Sequence, residues 1–422
     1  MQKLIIEGGT PLFGEINTQG SKNAVLPVLA ACVLCEGQVF LKNCPCISDR
    51  YAAARILSAL GAKTHSEQGM MSADCQSITS CEIGMGLMKA MRSSIIFMGA
   101  LLGRMGECTL CYPGGCNLGP RPIDMHIAAM KKMGVQISDE HGFISCKAPD
   151  GLKGCTHSLS FPSVGATENI MLAAVCAEGE TVISNAAREP EICCLGDFLR
   201  ACGAKIIGDG GGRIVIEGVG RLMPPSEPFE IIPDRIAAAT YLSAAACAGG
   251  ELLIRNCTPV HLEAVIPVFE QMGCRIKVFG SNIYIYKKGR LSSADTIRTM
   301  VYPGFPTDVQ AIVMAPLCTA QGTTVFVENI FENRYRHADA LCRMGADIRA
   351  EGKVAVVTGV PGLYGTIAEA PDLRGGAAIL CAALGAEGVT ELSGVSFIDR
   401  GYENIEGVLS SAGAKISRIT EE

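Results

Sequence analysis

Tryptophan is absent from the 422 residues, and aromatic residues of all kinds reach only 5%. With so few rings, and none set in basic surroundings, the chain offers no stacking platform for nucleic-acid bases. Positive charge is not in excess either. Lys and Arg number 36 against 42 Asp and Glu, a net charge of −6, so the electrostatic footprint of a nucleic-acid binder is missing. Long apolar runs are also lacking: the longest, Ala24 to Cys35, is broken by Pro27 and falls short of the ~18 residues a membrane span requires. The opening Met1-Gln2-Lys3-Leu4-Ile5-Ile6-Glu7 is too short in its apolar stretch and too soon acidic for a secretory signal, which places the protein in the cytoplasm. No His-Glu-x-x-His, EF-hand loop or nucleophile elbow occurs. Gly208-Asp209-Gly210-Gly211-Gly212 lacks the strand-turn-helix setting of a dinucleotide site and reads as a hairpin turn.

What is present is apolar and plentiful. Hydrophobic residues make up 48% and charged residues 18%, enough material for a globular chain, and the length calls for two domains of roughly 200 residues. The 21 cysteines, an odd number, read as reduced core thiols in a cytosolic protein. Only Cys108-Thr109-Leu110-Cys111 has the spacing of a metal half-site, and no partner pair stands at the right distance, so no metal is expected.

Self-similarity organises the chain. An apolar helix, a glycine and a short strand recur six times, with the glycines at Gly61, Gly134, Gly203, Gly273, Gly345 and Gly413, separated by 73, 69, 70, 72 and 68 residues. A second register, a small-residue helix followed by a glycine and a β-branched strand, falls at Gly37, Gly106, Gly179, Gly250, Gly322 and Gly388. Each unit reads helix, strand, helix, strand, with further strand between. Helices such as Ile170 to Ala177 and Ala237 to Ala248 are apolar nearly all round and belong inside, surrounded by sheets. The Pro-rich Met223 to Pro228 falls between the third and fourth units, dividing them into two sets of three with a ligand cleft expected between.

Several segments suit an anionic ligand. Gly20-Ser21-Lys22-Asn23 leads directly into a helix, setting a lysine and backbone N–H groups at a positive helix end. Tyr112 to Asp124 is a Gly- and Pro-rich loop carrying Cys116, five residues from Arg121, an accessible and electropositive setting for a thiol. Ser163-Val164-Gly165-Ala166-Thr167 offers hydroxyl and backbone donors at another helix start, fit for a diphosphate or simply an N-cap. Arg92, Arg235, Arg334, Arg374 and Arg400 are further cations. Asp308 follows a turn-rich loop, as a base or as a helix cap.

Taken together, Gly20 to Ala24, the loop from Cys116 to Asp124, Ser163 to Thr167, Ala187-Arg188-Glu189-Pro190-Glu191, Pro306-Thr307-Asp308, Phe331-Glu332-Asn333-Arg334 and Asp399-Arg400-Gly401-Tyr402-Glu403 make the whole chain resemble the enolpyruvyl transferases. That resemblance implies an α/β fold of two inside-out α/β barrel domains, each of three repeated units around enclosed helices. One would span 22–232; the other would join 1–21 to 233–422, with the active site in the cleft between. It implies transfer of the enolpyruvyl group of phosphoenolpyruvate to the 3-hydroxyl of UDP-N-acetylglucosamine with release of phosphate, a step of peptidoglycan precursor synthesis, without cofactor or metal. Homo-oligomerisation stays open.

By the same likeness, Lys22, Arg121 and Arg400 would bind the phosphate of phosphoenolpyruvate, and Arg92, Arg334 and Arg374 would complete the cationic cage. Cys116 would protonate the methylene carbon, Asp308 would deprotonate the sugar hydroxyl, and Lys22 would join them in catalysis. Asn23, Arg92, Arg121, Asp124, Ser163, Val164, Gly165, Asp308 and Ile330 would hold the nucleotide sugar. Cys116 would also be the thiol alkylated by fosfomycin. The chain departs from the family at Ala237, where Glu is usual, and Ala239, where Gly is usual, which bears on domain closure; Phe161 stands where some relatives carry Lys. Two alternatives are the sister enolpyruvylshikimate phosphate synthase, which lacks this cysteine loop, and a catalytically idle regulator that binds the nucleotide sugar.

Overall fold

The computed structural model describes residues 2–67, 69–114 and 123–420. They form two compact units, one of 20–114 with 123–232 and the other of 2–19 with 233–420. The first unit begins at Gly20, two residues ahead of the boundary read from the sequence.

Each unit is built on three four-stranded sheets. The third repeat shows how one sheet arises. Thr156–Ser158 pairs in parallel with Glu180–Ser184, and the helix Val164–Ala174 crosses over between them. A second helix, Pro190–Ala201, then leads into the hairpin of Lys205–Ile207 and Arg213–Glu217, whose second strand returns antiparallel to Glu180–Ser184. The five residues Gly208 to Gly212 form the hairpin turn expected of them.

Both glycine registers are explained by backbone conformation. Gly61, Gly134, Gly203, Gly273, Gly345 and Gly413 have φ of +107°, +91°, +99°, +96°, +100° and +98°. Gly37, Gly106, Gly179, Gly250, Gly322 and Gly388 likewise lie between +74° and +146°. A left-handed residue ends the helix and turns the chain into the next strand, and only glycine adopts it without a Cβ penalty.

The helices with no polar face are the enclosed ones. Arg235–Ala248, Thr307–Leu317 and Leu373–Gly385 pack on one another in the second unit, and Leu242, Ile312 and Ile379 are fully buried there. In the first unit, Phe97–Met105 lies against Val164–Ala174 so closely that a Cβ on Gly99 would stand 2.2 Å from the Asn169 carbonyl oxygen. Sheet residues alternate inward and outward, as in Val354–Thr358, and the inward set covers these helices. Each fully buried Leu, Ile or Val contributes about 1.5–3 kcal/mol by leaving water.

The chain start closes the second unit. Gln2–Glu7 inserts between Val389–Ser393 and Lys415–Thr420, antiparallel to both, while Leu12–Asn17 becomes the parallel edge strand beside Gly250–Arg255. Phe229–Glu230 closes the first unit in the same manner, beside Gln38–Lys42. Among the described residues no helix is long and apolar enough to cross a membrane.

Candidate active site

In the first unit, Lys22 opens the helix Lys22–Cys32, with the Ser21 hydroxyl accepting from the Ala24 N–H at 3.3 Å. Its ammonium lies 2.8 Å from a carboxylate oxygen of Asp49, with side chains 11% and 2% exposed. Asp49 was not singled out from the sequence, because nothing local to residues 48–50 signals a partner 27 residues away. The pair is short and shielded from water, so the Asp49 carboxylate fixes the position of the Lys22 ammonium at the helix end.

Arg92 is half-buried and donates to the Pro113 carbonyl at 3.4 Å; burial pushes its pKa below the usual guanidinium value. Asp124, exposed, begins the helix Asp124–Lys132. Ser163 caps Val164–Ala174 through its hydroxyl, 3.3 Å from the Ala166 N–H, leaving Val164 and Gly165 in a partly exposed first turn. Asn23 is also partly exposed. Cys116 and Arg121 lie outside the described residues. Of the described cysteines only Cys342 is exposed, and burial pushes thiols such as Cys44 and Cys75 up to about 12.

The second unit brings three of the singled-out residues together. Asp308, the second residue of Thr307–Leu317, accepts from Arg334 through Oδ1 at 3.0 Å and from Arg374 through Oδ2 at 3.1 Å. Arg334 also donates to the Thr307 carbonyl at 3.0 Å, and Arg374 to the Tyr402 hydroxyl at 3.2 Å. Tyr402 in turn bonds to the Thr240 hydroxyl at 2.8 Å. Both arginines are almost fully buried, whereas the Asp308 side chain stays 28% exposed. Burial opposes the charge on Arg374, but Asp308, then Tyr402 and Asp234, outweigh it and raise its pKa above the usual value.

Asp372 caps the next helix, accepting from the Arg374 and Gly375 N–H groups at 3.0 Å each, and so fixes where Arg374 starts. Glu328 is wholly buried and accepts from the Thr307 hydroxyl at 3.0 Å and from the Ile330 and Phe331 N–H groups at 2.8 and 3.1 Å. One carboxylate thereby ties the turn bearing Ile330 to the helix bearing Asp308. Arg400 is half-buried on the turn after Val395–Ile398. Gln19 holds that turn, donating to the Gly401 carbonyl at 2.9 Å and accepting from the Glu403 N–H at 2.8 Å, while Asp399 is gripped by Arg418 at 2.7 Å. Tyr402, Glu328 and Gln19 were missed because each acts across a long sequence separation.

Chemically, a carboxylate bracketed by two guanidiniums is a fixed acceptor. The departures at Ala237 and Ala239 are fully buried in Arg235–Ala248, where Asp234 caps the helix at 2.8 and 3.1 Å. Phe161 is 42% exposed, just ahead of the Ser163 turn. Among the described residues no cluster of His, Cys, Asp or Glu is arranged to hold a metal.

Residues 6–409 match the family of EPSP synthase (3-phosphoshikimate 1-carboxyvinyltransferase). UDP-N-acetylglucosamine 1-carboxyvinyltransferase 2 of Caldanaerobacter subterraneus subsp. tengcongensis is 46% identical over 99% of this chain and 100% of its own length. The UDP-N-acetylglucosamine 1-carboxyvinyltransferase of Nitratidesulfovibrio vulgaris is 45% identical, with both chains covered in full. Among solved structures, the enolpyruvyl transferase NikO from Streptomyces tendae superposes with a TM-score of 0.89 at 25% identity, over 100% of this chain and 99% of its own. EPSP synthase from Acinetobacter baumannii, at 20% identity and a TM-score of 0.74 over the full length of both, shares the fold. With near-complete coverage on every count, the chain belongs to the EPSP synthase family of carboxyvinyltransferase enzymes, in the group of the UDP-N-acetylglucosamine 1-carboxyvinyltransferases.

Proposed function

We propose that the protein transfers the enolpyruvyl group of phosphoenolpyruvate to the 3-hydroxyl of UDP-N-acetylglucosamine, releasing phosphate and giving a precursor of peptidoglycan. The observation that carries this reading is full-length identity of 43–46% to relatives of that activity, supported by Asp308 held between Arg334 and Arg374. Both substrates are cytoplasmic metabolites, so the enzyme works in the cytoplasm.

In this mechanism the Cys116 thiol gives its proton to the methylene carbon of phosphoenolpyruvate, and the double-bond electron pair forms the new C–H bond. The adjacent carbon becomes oxocarbenium-like. The sugar 3-hydroxyl attacks that carbon, and its proton passes to Asp308. The Cys116 thiolate takes a proton back from the new methyl group, the C–H electron pair restores the double bond, and phosphate leaves with the C–O bond pair. Acid and base steps of this kind are each worth ~10²–10⁴ in rate.

Lys22, Arg92, Arg121, Arg334, Arg374 and Arg400 supply the cations for the carboxylate and phosphate of phosphoenolpyruvate, where planar guanidiniums match the oxygen pairs. Asn23, Arg92, Arg121, Asp124, Ser163, Val164, Gly165, Asp308 and Ile330 bind the nucleotide sugar, the Ser163 turn offering backbone N–H groups to its diphosphate. No step needs a metal or an organic cofactor.

The experiment is phosphate release from phosphoenolpyruvate by the purified protein, with UDP-N-acetylglucosamine and shikimate 3-phosphate as parallel acceptors. Release with the nucleotide sugar alone is expected. Release with shikimate 3-phosphate moves the protein to the sister activity, and silence with both makes it a non-catalytic nucleotide-sugar binder.

A further inference from the structure

Arg374 is held at both ends of its side chain. Its backbone N–H is fixed by the Asp372 cap at 3.0 Å, and one guanidinium nitrogen, Nη2, donates to Asp308 at 3.1 Å. The other, Nη1, donates to the Tyr402 hydroxyl at 3.2 Å. A chain of hydrogen bonds continues from there, and what each group can do fixes its direction. The Thr240 hydroxyl donates its single hydrogen to the Ile236 carbonyl, 2.8 Å away and one turn earlier in Arg235–Ala248. With that hydrogen spent, Thr240 can only accept from Tyr402, at 2.8 Å. Tyr402 then keeps a lone pair for Arg374, which only donates. The bonds run one way from Arg374 to Ile236, and bonds aligned in this manner polarise and strengthen one another.

Thr240, Tyr402 and Arg374 are all buried. Burial, against Arg374 and Thr240, keeps the Tyr402 pKa above the usual phenol value, so the phenol retains the proton it donates. Tyr402 is also held by its neighbours in the chain, since Gln19 grips the Gly401 carbonyl and the Glu403 N–H at 2.9 and 2.8 Å. Asp308 is a less constant anchor. In the reaction proposed above it takes up a proton and loses its charge, which weakens its bond to Arg374 at that moment. Tyr402 changes charge at no step.

We infer that Tyr402 and Thr240 are positioning residues, which tether Arg374 Nη1 to the helix Arg235–Ala248 so that the guanidinium keeps one orientation toward phosphoenolpyruvate while Asp308 gains and loses its proton. Both act through Arg374 and not on a substrate directly. The inference rests on the proposed function.

The test measures phosphate release by the full-length protein with each substrate varied in turn, and a thermal melt of every variant. Tyr402→Phe keeps the ring and deletes the acceptor for Nη1. Its kcat/KM for phosphoenolpyruvate is expected to fall about 10- to 100-fold, the effect of one buried charged donor left unpaired. KM for UDP-N-acetylglucosamine is expected to stay within about twofold. Thr240→Val is expected to act in the same direction, whereas Thr240→Ser, which keeps the hydroxyl, stays within about threefold of the wild type. Because the two residues act in series, Thr240→Val adds less than about twofold on top of Tyr402→Phe. Wild-type kcat/KM in Tyr402→Phe, with or without a lowered melt, would overturn the inference while leaving the function intact. So would equal losses for both substrates, a Thr240→Ser as impaired as Thr240→Val, or fully additive losses in the double variant. Absence of phosphate release by the unaltered protein with the nucleotide sugar would remove the function and the inference together.

Discussion

Replacing Asp308 by Asn removes one negative charge from between two guanidiniums while leaving side-chain volume nearly unchanged. The amide keeps one acceptor for Arg334 or Arg374, now 3.0 and 3.1 Å from the carboxylate, and turns an N–H group toward the other. Hydrogen bonds to charged groups contribute about 1.5–3 kcal/mol, and the 28% exposure of Asp308 lets water screen part of that. A net loss of about 1–3 kcal/mol follows, equivalent to roughly 3–10 °C in the melting temperature of a unit of this size. That leaves the protein folded at 25 °C, since domains are stable by about 5–15 kcal/mol. Any larger effect on turnover must then be chemical. Without a base for the sugar hydroxyl, kcat is expected to fall by ~10²–10⁴. Phosphate release at saturating substrates, with a thermal melt followed by circular dichroism, reads both quantities. A kcat within tenfold of wild type would refute the base assignment, and an unchanged melt would refute the bracketing of Asp308 by the two arginines.

Cys116→Ser is expected to lower turnover by at least 100-fold near neutral pH, because a hydroxyl is a far weaker acid than a thiol; comparable turnover in the purified variant would contradict the acid role. Gly99→Ala forces a methyl to 2.2 Å from the Asn169 carbonyl, so the two helices must separate, and a loss of at least ~2 kcal/mol is expected in urea unfolding. Glu168 carries a pKa raised well above 4.5 by burial first, then by Glu191 and Glu189. Its folded form binds a proton more readily than its unfolded form, so the contribution of Glu168 to stability is fully present below 4.5 and is lost as pH climbs through the raised value. Glu168→Gln is therefore expected to flatten the fall in urea midpoint between pH 5 and pH 8; an unchanged slope would argue against this origin.

The repeat was legible because each copy needs a left-handed residue at the same place, and Gly134, Gly203 and Gly273 meet that need in plain sight. The enclosed helices were legible too: a helix such as Arg235–Ala248 with no polar face has nowhere to go but inside. The short parallel edge strands escaped notice. Glu82–Ile83, Phe229–Glu230 and Ile297–Arg298 span two residues each, less than any periodicity resolves. For the site, loop composition and helix starts brought out Lys22, Ser163 and Asp308, but the meeting of Asp308 with Arg334 and Arg374 was not foreseen: the resemblance set the arginines around phosphoenolpyruvate and Asp308 on the sugar hydroxyl, and only the fold brings the three together. Asp49, Glu328 and Tyr402 were passed over because their importance lies in partners brought close by the fold, such as Thr240, 162 residues from Tyr402.

The N-terminal strand that sits between Val389–Ser393 and Lys415–Thr420 makes the order of synthesis matter. The first 19 residues leave the ribosome before any of their partners exist, and Leu4, Ile6, Leu12 and Ile16, all buried in the finished protein, emerge with nothing to cover them. The unit formed by 20–114 and 123–232 is complete earlier, since its closing strand Phe229–Glu230 arrives with its own last residues. At about 5–20 residues per second, the remaining chain to the final strand takes roughly 10–40 s more. During that interval the segment 2–19 is the natural client of a chaperone, and the second unit becomes complete only when Lys415–Thr420 reaches Gln2–Glu7.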